Sequence, residues 1–144
     1  MVRSHVPKSA VDLLAEVPLF AECTRHQLRE IATLGTPMQV PPGTILTEER
    51  SPGSEFFLLL EGEASCTMGS TTQEPLTSGD YFGELSLLDG GPRIATITAS
   101  ADCSLLVFNR GEFGTLLHSS PSIAIKLLLH LSSRLREAET ALTH

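Results

Sequence analysis

Gly83 and Arg93 are the residues of this sequence whose types and spacing suit the binding of an anion, and Glu84 directly follows Gly83. The Gly-Glu pair leads into Leu-Ser-Leu-Leu, a mostly apolar run that is long enough for one helical turn. The amides of a first helical turn lack partners within the helix, and the helix dipole favours an anion there. Gly83 has no Cβ atom, so an anion can approach its backbone closely. Arg93 follows a Gly-Gly-Pro turn that can fold its guanidinium over the same amides, which predicts a phosphate site.

Glu84 is an unexpected neighbour for a phosphate, because two negative charges repel each other. Its carboxylate fits such a site if it accepts hydrogen bonds from a neutral group of the ligand, such as a sugar hydroxyl. The pattern therefore predicts a ligand that carries one phosphate charge with a ribose beside it. The competing interpretation is that Glu84 and Arg93 form a solvated surface pair, as most charged residues do.

The elements that must position these residues change in character along the chain. Residues 9–34 have helical periodicity, and Thr24 with Gln27 matches a capping box. Residues 37–108 contain short β-prone runs separated by glycines and prolines, which indicates an antiparallel sandwich or barrel. The predicted strands are Thr44–Thr47, Phe56–Leu60, Ala64–Met68, Ile94–Ala99 and Ser104–Phe108.

The chain is helical again after residue 112, and Ser120-Pro121 is typical of the start of a long last helix. Apolar residues recur along that helix at alternating spacings of four and three, which predicts one apolar face. This face is expected to pack on the β-region or on a second copy of the chain. It consists of Ala124, Leu128, Leu131, Leu135, Ala138 and Leu142.

Composition limits the possible functions. The 144 residues carry a formal charge of −7 with only 10 Lys and Arg, which argues against nucleic acid as a partner. No apolar run is long enough to span a bilayer, and the N-terminus lacks the apolar core of a signal peptide. Three widely spaced cysteines without a C-x-x-C pair predict free thiols in the cytoplasm.

An enzyme is not expected. A metal-dependent barrel enzyme needs clustered histidines, whereas none of the five His lies between residues 27 and 117. Ser86 lacks the G-x-S-x-G setting of a hydrolase nucleophile. A zinc site is not expected, because His118 and His130 have no Cys nearby. We therefore predict a binding module without a cofactor, a metal or chemistry of its own.

The run FGELSLLDGGPRIAT, residues 82–96, resembles the phosphate-binding cassette of the cyclic-nucleotide-binding domain family. Its fixed positions match the pattern F-G-E-(aliphatic)-(small)-L-L-x-x-x-P-R-x-A-(T/S), and the likeness to catabolite activators and protein kinase A regulatory subunits covers roughly residues 13–140. The resemblance implies a mainly β fold, an antiparallel β-roll (a double-stranded β-helix, jelly-roll-like) between N-terminal helices and two C-terminal helices. It implies one domain over 1–144, with a helical lead-in at 1–36, the roll at 37–108 and C-terminal helices at 109–144.

The resemblance also implies a role for each matching residue. Backbone amides of the helical turn and Arg93 would bind the cyclic phosphate, Glu84 would bind the ribose 2′-hydroxyl, and Cys66 would lie against the purine. The implied ligand-binding residues are Gly83, Glu84, Leu85, Ser86, Arg93, Ile94, Ala95 and Cys66.

Family members that prefer cGMP carry Thr or Ser directly after the arginine, whereas this chain has Ile94, so cAMP is the expected ligand. The last helix would act as a lid, and its expected contacts with the base are Leu131, Arg134, Leu135 and Ala138. The resemblance stops before a DNA-binding domain, so the expected partners are cAMP, a second copy through the last helix, or an effector domain outside this chain. The alternative is the same fold without nucleotide binding, acting as an interaction domain.

Overall fold

The computed structural model describes residues 9–142 and consists of antiparallel strands with flanking helices. In chain order the strands are β1 (Thr36–Val40), β2 (Ile45–Thr47), β3 (Glu55–Glu61), β4 (Glu63–Met68), β5 (Thr71–Thr72), β6 (Leu76–Thr77), β7 (Tyr81–Phe82), β8 (Thr96–Ala99) and β9 (Cys103–Asn109). The helices are α1 (Ala10–Ala15), α2 (Arg25–Leu34), α3 (Glu84–Asp89), α4 (Arg110–Ser119) and α5 (Pro121–Leu142), with a 3-10 turn at Pro18–Phe20.

The strands form two antiparallel sheets. The first has the order β1-β9-β3-β7, and the second has the order β2-β8-β4-β5 with β6 also paired to β4. In the first sheet Phe57 lies opposite Val107 on one side and opposite Phe82 on the other. This register places the last residue of β7, and with it the start of the Gly-Glu turn, beside the centre of β3.

The first sheet is buried on both faces. Phe56 and Leu58 of β3 pack with the helices, whereas the alternating residues Phe57 and Leu59 pack with the second sheet. Side chains alternate between the two faces of a strand, so a strand covered on both faces has a continuous apolar sequence. This explains why β3 has the sequence EFFLLLE rather than an alternating one.

The helix α2 and the last helix begin where the sequence pattern predicts, whereas α4 begins two residues earlier than predicted. Thr24 and Gln27 form a capping box at the start of α2, and Asn109 and Glu112 form another at the start of α4. The last helix begins at Pro121, directly after the buried Ser120. No helix in the described part of the chain, residues 9–142, has the length and hydropathy to cross a bilayer.

The expected fold class, antiparallel sheets between N-terminal and C-terminal helices, is confirmed. The five predicted strands correspond to β2, β3, β4, β8 and β9, whereas β1 and the two-residue strands β5, β6 and β7 were missed. β1 contains Pro37 and is mostly exposed, so its sequence lacks the apolar alternation of a strand. The part of the predicted helical lead-in at residues 1–8 lies outside the described residues.

The predicted apolar face of the last helix does not pack on the roll, so this part of the expectation is wrong, whereas packing on a second copy stays a prediction. Leu128, Leu135 and Leu142 are 63%, 61% and 86% exposed, whereas Ile123 and Leu127 are buried. On the same side of α5, His130, which is exposed, and Arg134, which is half-buried, line the pocket described below. Positions 123, 127, 130 and 134 follow the 3.6-residue helical repeat, about 100° away from the leucines that the sequence pattern favoured.

Two neighbouring leucines provide a matched test of this face. Leu127→Ala is expected to lower the free energy of unfolding by about 2–5 kcal/mol, because it removes a buried side chain from the contact with the core. Leu128→Ala is the control and should change it by no more than about 0.5 kcal/mol, because Leu128 is exposed. Urea denaturation of the two variants measures the difference, and equal losses would contradict the assigned face.

Candidate ligand-binding pocket

A cavity of about 300 Å³ opens beside α3, a volume in the range of pockets for small ligands. Its walls come from the second sheet, from the segment around α3 and from one side of α5. The lining includes Thr47, Cys66, Met68, Gln73, Glu74, Leu76, Tyr81, Phe82, Gly83, Glu84, Leu85, Ser86, Arg93, Ile94, Ala95, Ile97, His130 and Arg134. All eight residues that the sequence assigned to ligand binding therefore line one cavity.

Gly83 brings the first turn of α3 to the pocket wall. It caps the helix with a φ of 94°, a conformation that side chains with a Cβ atom rarely adopt. A Cβ atom at this position would lie 2.6 Å from the carbonyl oxygen of Glu55 and 2.8 Å from Nη1 of Arg93. Glycine is therefore required at position 83 for two reasons: the positive φ of the turn, and the close approach of β3 and Arg93.

Arg93 is the charged group at the centre of the pocket wall. Its Nη1 donates to the carbonyl oxygen of Gly83 at 3.0 Å, and its Nη2 donates to that of Glu55 at 2.8 Å. The guanidinium carbon lies 5.8 Å from the centre of the Phe57 ring, and a Cβ atom at Gly53 would clash with the guanidinium. The side chain is thus held in one orientation by β3 and by the two glycines, Gly53 and Gly83.

The charge of Arg93 has no acidic partner of its own. The residue is 7% exposed, and it makes no ion pair with a carboxylate of residues 9–142. Burial lowers the pKa of the guanidinium, although the nearby carboxylates of Glu55 and Glu84 oppose this shift. Arginine stays protonated in proteins, and buried charges require a partner. The wall of the cavity therefore carries a fixed cation with room for an anion.

Glu84 is almost as buried as Arg93 and is paired from the opposite side of the pocket. It is 5% exposed, and its Oε2 lies 3.5 Å from Nη1 of Arg134 on α5. The sequence predicted a neutral partner for this carboxylate and missed the cation. The two residues are far apart along the chain, and only the docking of α5 brings them together.

A second polar contact joins α5 to the roll. The hydroxyl of Tyr81 on β7 is hydrogen-bonded to Nδ1 of His130, and the two rings meet edge to face with centroids 5.6 Å apart. Burial and the neighbouring Glu84 raise the pKa of Tyr81 to about 12, so its hydroxyl stays neutral at physiological pH. Sequence reasoning missed both residues. The available signal was the spacing of four between His130 and Arg134, which places them on one helix face.

The far end of the pocket is mostly apolar. It is lined by four residues of the second sheet, Cys66, Met68, Leu76 and Ile97, of which the sequence had singled out Cys66. Burial raises the pKa of the Cys66 thiol, which keeps it protonated and unreactive. Ile94 is 47% exposed and lies at the rim with Ala95.

Of the four residues expected in the lid, the structure places only Arg134 in the pocket lining. Leu135 and Ala138 are exposed, and Leu131 is half-buried but does not line the cavity. The reason is that α5 presents a different face from the predicted one, as described above, and this face carries His130 and Arg134 toward the pocket. Within residues 9–142 there is no cluster of three His, Cys, Asp or Glu side chains that could hold a metal ion.

Comparisons with known proteins agree with this geometry. The sequence model of the cyclic nucleotide-binding domain matches residues 37–120, more than half of the chain. A cyclic nucleotide-gated potassium channel of Rhizobium etli is 36% identical over 112 residues, which cover 78% of this chain and 31% of the channel. The cAMP-dependent protein kinase regulatory subunit of Colletotrichum orbiculare is 35% identical over 108 residues, which cover 74% of this chain and 28% of that subunit.

A solved structure shares the fold. The catabolite activator protein of Thermus thermophilus superposes with a TM-score of 0.81 at 28% identity, over 87% of this chain and 61% of that one. The chain therefore belongs to the cyclic nucleotide-binding domain family, a family of binding rather than catalytic domains. It is a regulatory domain of the type found in protein kinase A regulatory subunits and catabolite activators. It spans about a third of the length of the curated relatives described above.

Proposed function

We propose that this domain binds cAMP and performs no chemistry on it. The observation that carries the proposal is the buried guanidinium of Arg93, which has no acidic partner and lines a cavity beside the first turn of α3. A cyclic phosphate would accept from Arg93 and from the amides of Gly83, Leu85 and Ser86. Its single negative charge matches the one uncompensated cation. The relatives named for cAMP or cyclic nucleotides support this ligand class.

Glu84 would accept a hydrogen bond from the ribose 2′-hydroxyl, while Arg134 shields its charge from the phosphate. In this arrangement the carboxylate lies between a cation and a neutral donor, so it does not repel the ligand. The purine would extend toward Cys66 and the apolar end of the pocket, with the Ile94 and Ala95 backbone near the phosphate. Ile94 has no hydroxyl to offer guanine, and we therefore propose a preference for cAMP over cGMP.

Arg93→Ala tests the phosphate site. Loss of the buried charge partner is expected to weaken cAMP binding by about 2–5 kcal/mol, which is roughly thirty- to several-thousand-fold in Kd. Isothermal titration calorimetry measures the change, with Arg136→Ala on the exposed side of α5 as the control that keeps normal affinity. A urea denaturation curve must accompany the titration, because Arg93 also bonds to Gly83 and Glu55. A folded Arg93→Ala variant with normal affinity would refute the proposed site.

Glu84→Gln tests the ribose contact. A hydrogen bond to a charged group contributes about 1.5–3 kcal/mol, so the variant should lose roughly tenfold or more in affinity for cAMP. Its affinity for 2′-deoxy-cAMP should change less, because that analogue lacks the hydroxyl. The readout is the ratio of the two Kd values in the wild type and in the variant. An equal loss for both ligands would show that Glu84 acts on the fold or on α5 rather than on the ribose.

The helix α5 would act as a lid whose arrangement depends on whether a ligand occupies the pocket. It touches the pocket through His130 and Arg134, and its polar contacts there involve Tyr81 and Glu84 on the β7–α3 segment. A ligand bound between α3 and α5 favours one arrangement of the two, and this difference in affinity is what a binding module can transmit. The exposed leucines of α5 would offer a surface to a second copy or to an effector domain, and we expect a module of this kind, with three free cysteines, to work in the cytoplasm.

Hydrogen exchange tests the lid. cAMP is expected to slow amide exchange in residues 124–142 as well as in residues 83–96, because the ligand contacts both segments and joins them. Helical segments that switch are drawn from the less stable parts of a fold, so the effect should be largest in the exposed second half of α5. Protection confined to residues 83–96 would show that α5 is a static wall.

A further inference from the structure

Most polar side chains of the pocket already have partners within the protein. Thr47 donates to the carbonyl oxygen of Ala95 at 2.9 Å, and Arg93 donates to two carbonyl oxygens. The remaining pairs are Tyr81 with His130 and Glu84 with Arg134. These contacts cover the phosphate side and the α5 side of the cavity. They leave open which group would recognise the base.

Gln73 is a polar side chain of the cavity lining, close to the apolar residues of the second sheet. It lies in the connection between β5 and β6 and is half-buried, and its amide side chain has no hydrogen bond to any residue of 9–142. Its backbone N–H donates to the carbonyl oxygen of Cys66 at 2.8 Å. This bond fixes the connection beside the residue that forms the wall for the ring. The adjacent Glu74 also lines the cavity but is exposed at its rim.

We propose that Gln73 selects adenine by bonding to the N6/N7 edge of the base, an inference that rests on the proposed cAMP binding. A primary amide carries one acceptor and one donor group. Its oxygen can accept from the N6 amino group while its nitrogen donates to N7, a pairing that glutamine makes with adenine in other settings. Guanine presents two acceptors, O6 and N7, on the same edge, and O6 repels the amide oxygen. The side chain therefore favours cAMP over cGMP independently of Ile94.

Two cAMP analogues test the pairing in the wild-type domain. The 7-deaza analogue lacks the N7 acceptor, and the purine analogue without the 6-amino group lacks the donor. Each should bind about two- to tenfold more weakly than cAMP, as expected for the loss of one hydrogen bond. In Gln73→Leu, which keeps the size of the side chain, all three ligands should bind with equal affinity. Calorimetric titration provides the Kd values.

Gln73→Arg tests the choice of base directly. Arginine offers two donors and pairs with O6 and N7 of guanine, so the ratio of cGMP to cAMP affinity should rise by about tenfold or more. Gln39→Arg is the matched control, because Gln39 on β1 is exposed and does not line this cavity, and its ratio should stay that of the wild type. Equal binding of cAMP and both analogues by the wild type, or unchanged discrimination in Gln73→Leu, would overturn the inference while cAMP binding itself stands. Absence of cAMP binding by the wild type would instead refute the proposed function and this inference with it.

Discussion

The orientation of the buried Arg93 guanidinium is the constraint on which the rest of the site depends. The side chain bonds to the backbone of β3 and to Gly83, so it connects the first sheet with the start of α3. Only glycine fits at positions 53 and 83, because a Cβ atom at either would meet the guanidinium. A cation held this closely has little freedom to rearrange when an anion arrives. The proposed phosphate site is thus largely preformed, which would reduce the ordering cost of binding.

The two sheets and α5 together form the pocket whose wall contains the Arg93 guanidinium. The first sheet is covered by helices on one face and by the second sheet on the other, so β3 and β9 form the most buried part of the fold. The second sheet supplies the apolar wall of the pocket, and α5 closes its side through two contacts with the β7–α3 segment. The contacts that position α5 therefore adjoin the residues proposed to bind phosphate and ribose. A change in the pocket would therefore reach the helix directly through these contacts.

The sequence predicted the part of the site whose residues lie close together in the chain. It missed the contacts between residues that lie far apart in the chain. The turn from Gly83 to Arg93 is contiguous, so its residue types and spacing were sufficient to predict where its side chains meet. The pairs Glu84–Arg134 and Tyr81–His130 depend on how α5 docks, which no local pattern encodes. The leucines of α5 form a more regular apolar pattern than the side of the helix that faces the roll and the pocket, which carries His130 and Arg134. The apolar periodicity alone therefore predicted that the packed face of α5 is the side that the structure leaves exposed.

Calorimetric titration of the wild-type domain with cAMP and with adenosine measures the contribution of the phosphate, because the two ligands differ in the phosphate that Arg93 is proposed to bind. We expect a saturable isotherm for cAMP with one ligand bound per domain, and no measurable binding of adenosine at the same concentrations. A flat isotherm for cAMP at high protein concentration would contradict it and would favour a domain that keeps the fold as an interaction module. Equal affinity for the two ligands would also contradict it, since the buried cation would then play no part in binding.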